Sequence, residues 1–425
     1  MFCDVLRDRI VNKELDSVLV DLYADENVLE YQRDRFVGIV DRFVELYGCL
    51  DVRVFSAAGR SEVGGNHTDH QHGCVLAASI NLDAVAVVSL QEDVVSIVSD
   101  DMVLADVNVN DLEHNEEDFG TSEGLVRGVL FKLREEGFKI GGFKAFISSD
   151  VLMGAGLSSS AAFETLIGTI VSGLYNDMQI DMVEIAKVGQ FAENVYFGKP
   201  CGLMDQCACA VGGLINIDFN DPKHPVVRHL DVDFGKFNHS LCIVDTKGSH
   251  ADLTDEYAAI PADMKCVAAY FGKEFLRDVD ASDFFSSLAS LRDVCSDRAI
   301  LRAMHFFDEN DRVQKLVDCL NVDDFDGFKS LIQASGNSSY KFLQNVYASC
   351  DPLNQAVSLG LALSEHVLQD HGVCRVHGGG FAGTIQAFVE DSFVQEYKEQ
   401  MELLFGVGSC HVLKVRKYGG CAVFD

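Results

Sequence analysis

The stretch MGAGLSSSAAFE (153–164) places glycines, then serines, ahead of the helix-like run LSSSAAFETLIGTIVSGLY, and it follows an apolar segment, FKAFISSDV (143–151), patterned as a strand. Strand, glycines, serines and helix in that order present bare backbone N–H groups to a polyanion. Glycine lets the backbone approach a phosphate closely, and the helix start adds its positive dipole end. A nucleotide or another phosphate ester is therefore the expected ligand. No lysine follows the glycines, so this is not the G-x-x-x-x-G-K-[ST] loop, and a glycine-serine helix cap without a ligand stays an open alternative.

Three further constellations carry chemistry. GRSEVGGNHTDHQHG (59–73) reads as a polar connector between two strands, with Arg60, His67, Asp69, His70 and His72. Imidazoles and a carboxylate could hold a metal, and short donors and acceptors equally suit the vicinal hydroxyls of a sugar. AENVYFGKPCGLMDQ (192–206) puts Glu193 late in a helix and Asp205 after a GKPCG break. Carboxylates on either side of a turn can divide labour, one holding a cation and one taking a proton. Asp205 also lies between apolar segments, which favours a partly buried carboxylate with a role. RVHGGGFAGTIQAFV (375–389) has three consecutive glycines before a strand, a sign of close backbone packing or of approach to a ligand. A fourth segment, DTKGSHADLTDEY (245–257), offers Tyr257 after a strand but would not stand out alone.

These residues need a large scaffold, and 425 residues allow two or three domains. The pattern predicts helices over 1–48, strands over 51–59, 73–80, 83–90 and 93–100, and helices over 122–136, 157–176 and 182–197. The apolar segment 207–219 leads to a strand over 239–246. Helices dominate 254–370, and strands return at 373–379, 383–390 and 410–417 around a helix near 391–404. Strands and helices without strict alternation imply an α+β fold, with a helical N-terminal extension over 1–50 and a boundary near residue 216 separating 51–216 from 217–425. A formal charge of −32 and the absence of a basic run exclude a nucleic-acid binder. The same acidity fits poorly with an anionic nucleotide unless a divalent cation and local N–H donors assist. Fourteen scattered cysteines without a CxxC pair fit free thiols in a reducing compartment. The charged N-terminus lacks an apolar signal core, and no apolar run reaches membrane-spanning length. A cytoplasmic protein with no membrane partner is expected.

Taken together and in this order, the segments resemble the galactokinases of the GHMP small-molecule kinase family. GRSEVGGNHTDHQHG resembles their signature, GAGLSSSAA the phosphate loop, AENVYFGKPCGLMDQ the metal-carboxylate and catalytic-aspartate segment, and HGGGFAG the third, glycine-rich motif; RAMHFFDEN (302–310) is similar to a further galactokinase segment. The resemblance implies a two-lobed α+β fold, with an N-terminal lobe like ribosomal protein S5 and the site between lobes. It implies ATP and Mg²⁺, and transfer of a phosphoryl group to the C1 hydroxyl of galactose by a monomer or weak homo-oligomer. Asp205 would be the base and Arg60 the stabilising charge. Ser160 and Glu193 would ligate Mg²⁺. Gly154, Gly156, Leu157, Ser158, Ser159, Ser160 and Gly379 would hold the nucleotide, and Asn66, His67, Asp69, Gly202 and Tyr257 would contact the sugar. Everything turns on Asp205 and Arg60 meeting in one cleft.

The chain departs from the family pattern. Asn66 stands where a glutamate is usual, Glu62 where an asparagine is common, Ala58 for a proline and His70 for a tyrosine, and arginines usual after Glu-Tyr are replaced by AAIP (258–261). If Asn66 faces the outer hydroxyls of the sugar, its amide would tolerate a sugar acid such as galacturonate. A non-catalytic sugar sensor and a metallohydrolase built on His67, Asp69, His70 and His72 complete the alternatives. The adenine-binding residues are expected within 90–125.

Overall fold

The computed structural model describes residues 1–100, 102–151, 156–232, 234–248, 253–381 and 383–424. Three helices open the chain: α1 (Cys3–Val11), α2 (Asp16–Tyr23) and α3 (Leu29–Tyr47). Strands β1 (Arg53–Gly64), β2 (Cys74–Gln91), β3 (Val94–Ser99), β4 (Met102–Val103) and β5 (Val107–Asn108) follow. Then come α4 (Ser122–Glu135), β6 (Gly142–Ser149), α5 (Ser159–Tyr175), α6 (Met182–Phe191), α7 (Met204–Val211), β7 (Leu214–Asp218), β8 (Val226–Leu230) and β9 (His239–Asp245). A helical region comprises α8 (Thr254–Tyr270), α9 (Ala281–Ser286), α10 (Leu288–Leu291), α11 (Asp297–Asn321), α12 (Phe325–Ser338) and α13 (Ala356–Leu368). The chain closes with β10 (Gly372–Val376), β11 (Thr384–Glu390), α14 (Val394–Phe405), β12 (Cys410–Leu413) and β13 (Cys421–Phe424).

The expected α+β class holds, with two sheets. The larger follows the order β13-β1-β2-β6-β3-β4, with β5 on β3 and with β7 and β8 extending from the other half of β2; all pairs are antiparallel except β3 with β6. The smaller is antiparallel, β10-β11-β9-β12. Strands β7, β8 and the C-terminal β13 thus join the first sheet although two of them lie past residue 216. One face of that sheet is covered by α4 to α7 through residues such as Phe55, Val88, Leu130 and Ile167. The N-terminal helices cover the other, where Phe36, Phe43, Val85 and Phe146 share a core. A separate cluster (Leu76, Leu157, Leu214, Ile243, Leu316, Phe388) joins the two sheets and the helices between them. No helix among the described residues is long and apolar enough to cross a membrane.

Two expected breaks are absent. The strands expected at 73–80 and 83–90 are one strand, because Asn81 and Asp83, polar residues suggestive of a turn, find buried partners: Asn81 bonds Lys414, and Asp83 is gripped by Arg35 and Arg416. The first strand also runs past residue 59 to Gly64, so Arg60 and Glu62 stand on a strand and not in a connector. Register shifts between Ala58 and Arg60 and between Glu62 and Gly64 mark bulges, which re-aim side chains. The polar alternation that resembles a loop is a strand facing a polar core. The segment 207–219 divides into the end of α7 and the strand β7.

Candidate active site

Arg60 leaves the bulged strand β1 and meets Asp205 in the first turn of α7. Nε donates to Oδ1 and Nη2 to Oδ2, both at 2.7 Å, a two-point fork of the strong kind. The third guanidinium nitrogen donates to the carbonyl of Gly156, and the Leu157 carbonyl accepts from Arg60 N at 3.3 Å. One arginine therefore ties the aspartate to the loop ahead of α5. Arg60 is 6 % exposed, while about a third of the Asp205 side chain (33 %) faces solvent. Burial alone would raise the Asp205 carboxyl, but the Arg60 guanidinium, followed by the Ser158 hydroxyl, holds it below its ordinary value.

Ser158, at the N-cap of α5, donates to Asp205 Oδ2. Its backbone is left-handed (φ 59°), a strain of about 1–3 kcal/mol kept where function needs the geometry. Gly156 is also left-handed (φ 67°), and a Cβ there would come within 3.0 Å of Thr384 Oγ1. Leu157 is fully buried in the core between the sheets, so only its backbone is available to a ligand. Ser159 opens the helix, and Ser160 donates to Glu193 Oε1 at 3.1 Å. Gly154, expected to hold phosphate, lies outside the described residues.

Glu193, 3 % exposed, sits where α6 widens into a π-helical turn over Ala192–Phe197. Such widened turns recur at functional positions. Lys199 Nζ approaches its Oε1 at 3.2 Å, and Gln206 Nε2 donates to its Oε2 at 2.8 Å. A cationic group already rests on Oε1, so a carboxylate and a hydroxyl here suit a hard cation that keeps water and phosphate as its remaining ligands.

The expected sugar residues gather beside the glycine loop. His67 Nε2 lies 3.0 Å from the Gly379 carbonyl, and Tyr257 donates its hydroxyl to the Gly380 carbonyl at 3.0 Å. Burial pushes the Tyr257 phenol up to about 12 and lowers the His67 imidazolium, so both are neutral at physiological pH. Gly202 runs against the Asp69 carboxylate, with no room for a Cβ. Gly378 in turn lies 3.9 Å, measured from a notional Cβ, from the Gly156 carbonyl. Contacts thus link residues 66–69, Gly202, the glycines 378–380, Gly156, Arg60 and Asp205 into one neighbourhood.

Asn66 is different. It is fully buried: Nδ2 donates to Glu62 (3.0 Å) and to the Gly378 carbonyl (2.7 Å), while Oδ1 accepts from Ser339 (3.2 Å) and Asn345 (2.8 Å). All four hydrogen-bonding capacities of the amide are spent. Asn66 therefore positions the loop, with no hydrogen-bonding capacity left for a sugar. Glu62 pairs with Arg375 at 2.7 Å, so the exchanged Glu62 and Asn66 face each other in one polar core.

The metallohydrolase alternative falls. No cluster of three or more metal-ligating side chains occurs among the described residues, and the His72 ring stacks on Phe275 at 3.7 Å. Lys199, Gln206, Glu164, His377 and Asn345 also take part in this polar network, although no sequence motif assigns them a role. Gln206 and Glu164 stood inside the quoted motifs, next to Asp205 and one turn after Ser160, and that adjacency was the available signal. His377 bonds Thr384 and Ser61 and lies beside Arg60, which, after burial, pushes its imidazolium well down.

Two family models match this chain: the galactokinase galactose-binding signature over residues 41–90 and the GHMP kinases N-terminal domain over 124–213. The chain is 31 % identical to a Streptomyces coelicolor galactokinase over 381 residues, 88 % of this chain and 94 % of that one. The chain belongs to the galactokinases. A second relative, from Actinobacillus pleuropneumoniae, is 31 % identical over 84 % of this chain and 90 % of its own length. Among solved structures, Lactococcus lactis galactokinase complexed with galactose superposes with a TM-score of 0.77 at 22 % identity, covering 91 % of this chain and 99 % of that one. A mevalonate kinase superposes at 0.60 with 17 % identity, covering 86 % and 99 %. The fold is that of the GHMP kinases, and this galactokinase-family member is an ATP-using sugar kinase.

Proposed function

We propose that this protein transfers the γ-phosphoryl group of ATP to the anomeric C1 hydroxyl of galactose, with Asp205 as the base. Three hydrogen bonds already engage the Asp205 carboxylate, from Arg60 Nε, Arg60 Nη2 and Ser158. Of roughly four acceptor positions, one remains, on Oδ1, and it takes the proton of the C1 hydroxyl as the sugar oxygen bonds to phosphorus and the bond to the ADP oxygen breaks. Arg60 holds the base ionised and supplies positive charge beside the transferring group. Holding groups in line and neutralising charge provide most of the acceleration in phosphoryl transfer.

Glu193 and Ser160 would hold Mg²⁺, which when bound neutralises charge on the nucleotide phosphates. Backbone N–H groups at the start of α5, with Ser158 and Ser159, would grip the phosphates, and this local positive potential answers the overall charge of −32. His67, Asp69, Gly202 and Tyr257 would line the sugar, with Gly379 joining that wall to the phosphate loop. All fourteen cysteines are free thiols, which fits the cytoplasm.

The two-point Arg60–Asp205 pair at the mouth of the phosphate loop carries this reading. A panel of monosaccharides with ATP and Mg²⁺, read as ADP formation, tests it. Galactose is expected to be preferred over galacturonate, because the internally satisfied Asn66 removes the reason for tolerating a sugar acid. Clear preference for the acid overturns the assignment, and sugar binding without ADP release in the wild-type chain would make it a sensor.

A further inference from the structure

Behind Glu193 lies a second row of polar side chains that the proposed transfer does not use. Gln206, fully buried on α7 and adjacent to Asp205, donates to Glu193 Oε2 at 2.8 Å and to Glu164 Oε2 at 3.2 Å. Glu164 is fully buried on α5, one turn beyond Ser160. The Glu193 carboxylate is thereby divided: Oε1 takes Ser160 and Lys199, and Oε2 takes the amide. The helix facing them makes room, since a Cβ on Gly189 would come within 3.0 Å of Glu164 Oε2 and 3.3 Å of Gln206 Cγ. Glu164 Oε1 and Gln206 Oε1 are buried without a hydrogen-bond partner. An orphaned buried acceptor carries a desolvation cost of about 1–3 kcal/mol, and a fold retains such groups where local geometry has a purpose.

We propose that Gln206 and Glu164 are positioning residues for the divalent cation: the Glu164–Gln206–Glu193 bridge fixes the Glu193 carboxylate so that Oε1, beside Ser160, is the oxygen offered to the metal. Groups that orient a ligand from behind commonly matter about 10- to 100-fold in metal affinity. The bridge also couples two functions through adjacent residues, because α7 carries Asp205 and Gln206 side by side. The inference rests on the reading of Glu193 as a cation ligand.

The test is Mn²⁺ binding to the full chain in the presence of ADP, followed by the electron paramagnetic resonance signal of free Mn²⁺. Wild type is compared with Gln206→Met, Glu164→Gln, Glu164→Met and Glu193→Gln, each checked for a cooperative melt. Gln206→Met, which keeps the volume and loses both donors, should bind Mn²⁺ about 10-fold more weakly or worse. Glu164→Gln should keep wild-type affinity, because its amide oxygen still accepts from Gln206, whereas Glu164→Met should not. Wild-type affinity in Gln206→Met, or equal losses in the two Glu164 variants, overturns the bridge. If Gln206→Met fails to fold, the Glu164 pair decides alone. Wild-type affinity in Glu193→Gln instead removes Glu193 as a ligand, which separates failure of the underlying reading from failure of the bridge.

Discussion

Two aspartates, Asp83 and Asp205, are held by the same residue types to different ends. Asp83 is fully buried: Arg35 reaches Oδ1 at 2.7 Å, while Arg416 (2.6 Å), Ser56 (2.5 Å) and Tyr23 (3.0 Å) reach Oδ2. Asp205 has one arginine and one serine, and a third of its side chain is open. Against the pull of burial, flanking arginines hold both carboxyls below their ordinary value, so charge state does not distinguish them. Closure does. Asp83 has two arginines and no access, and it ties α2, α3, β1, β2 and the segment before β13 together. Asp205 keeps an acceptor position and a path for a substrate. A buried carboxylate–arginine pair is a structural clamp when sealed and a candidate base when one valence stays open.

The comparison breaks most readily at the aspartates themselves. Asp205→Asn should lower kcat for ADP formation by about 10²- to 10⁴-fold, the usual worth of a general base, with a melting temperature near that of wild type. Asp83→Asn should do the reverse. Removing the negative charge between two buried guanidinium groups should cost about 3–5 kcal/mol of stability in urea titrations, while the folded fraction retains its kcat. A chain unfolded by Asp205→Asn, or an Asp83→Asn enzyme that is folded but inactive, would erase the distinction.

These two residues also show what the sequence could reveal. Asp205 was legible because a Gly-Lys-Pro-Cys-Gly break and flanking apolar runs mark a partly buried carboxylate, and the resemblance supplied its partner. Asp83 was not, because INLDAV has the look of a turn, and the residues that turn it into a strand interior lie up to 333 positions away. The same blindness placed Arg60 in a loop. Polar alternation says that side chains are polar, not whether water or buried partners satisfy them. Helices were easier to place, since their signal is local periodicity, as over α4 and α5. The widened turn at Glu193 leaves no mark in composition.

A pH profile sharpens the electrostatic half of the comparison. The folded pKa of Asp205 is depressed, so its carboxylate stays ionised to lower pH than an ordinary aspartate, and the acid limb of kcat/KM due to this group should lie below that of an unshifted carboxylate. Burial, the largest influence, works the other way and is outweighed by Arg60. Arg60→Met leaves burial less opposed. Its residual activity should be lower than that of wild type, and its acid limb should move to higher pH. An unmoved limb would mean that Arg60 does not set the ionisation of Asp205.

The smallest expected effect concerns the tyrosine of the sealed cluster. Tyr23, 1 % exposed, donates its hydroxyl to Asp83 Oδ2, and its ring meets Phe36 edge-on at 6.4 Å between centroids. Tyr23→Phe keeps the ring and removes one of four contacts, leaving Arg35, Arg416 and Ser56 on the carboxylate. The expected loss is about 0.5–1.5 kcal/mol, that of a single hydrogen bond, read as a shifted urea midpoint with unchanged slope. Activity should not change, because among the described residues no hydrogen bond or ring contact links Tyr23 to Arg60, Ser158 or Asp205. A fall in kcat at constant stability would show that the N-terminal helices reach the active site through β1, the strand that carries Ser56 to one aspartate and Arg60 to the other.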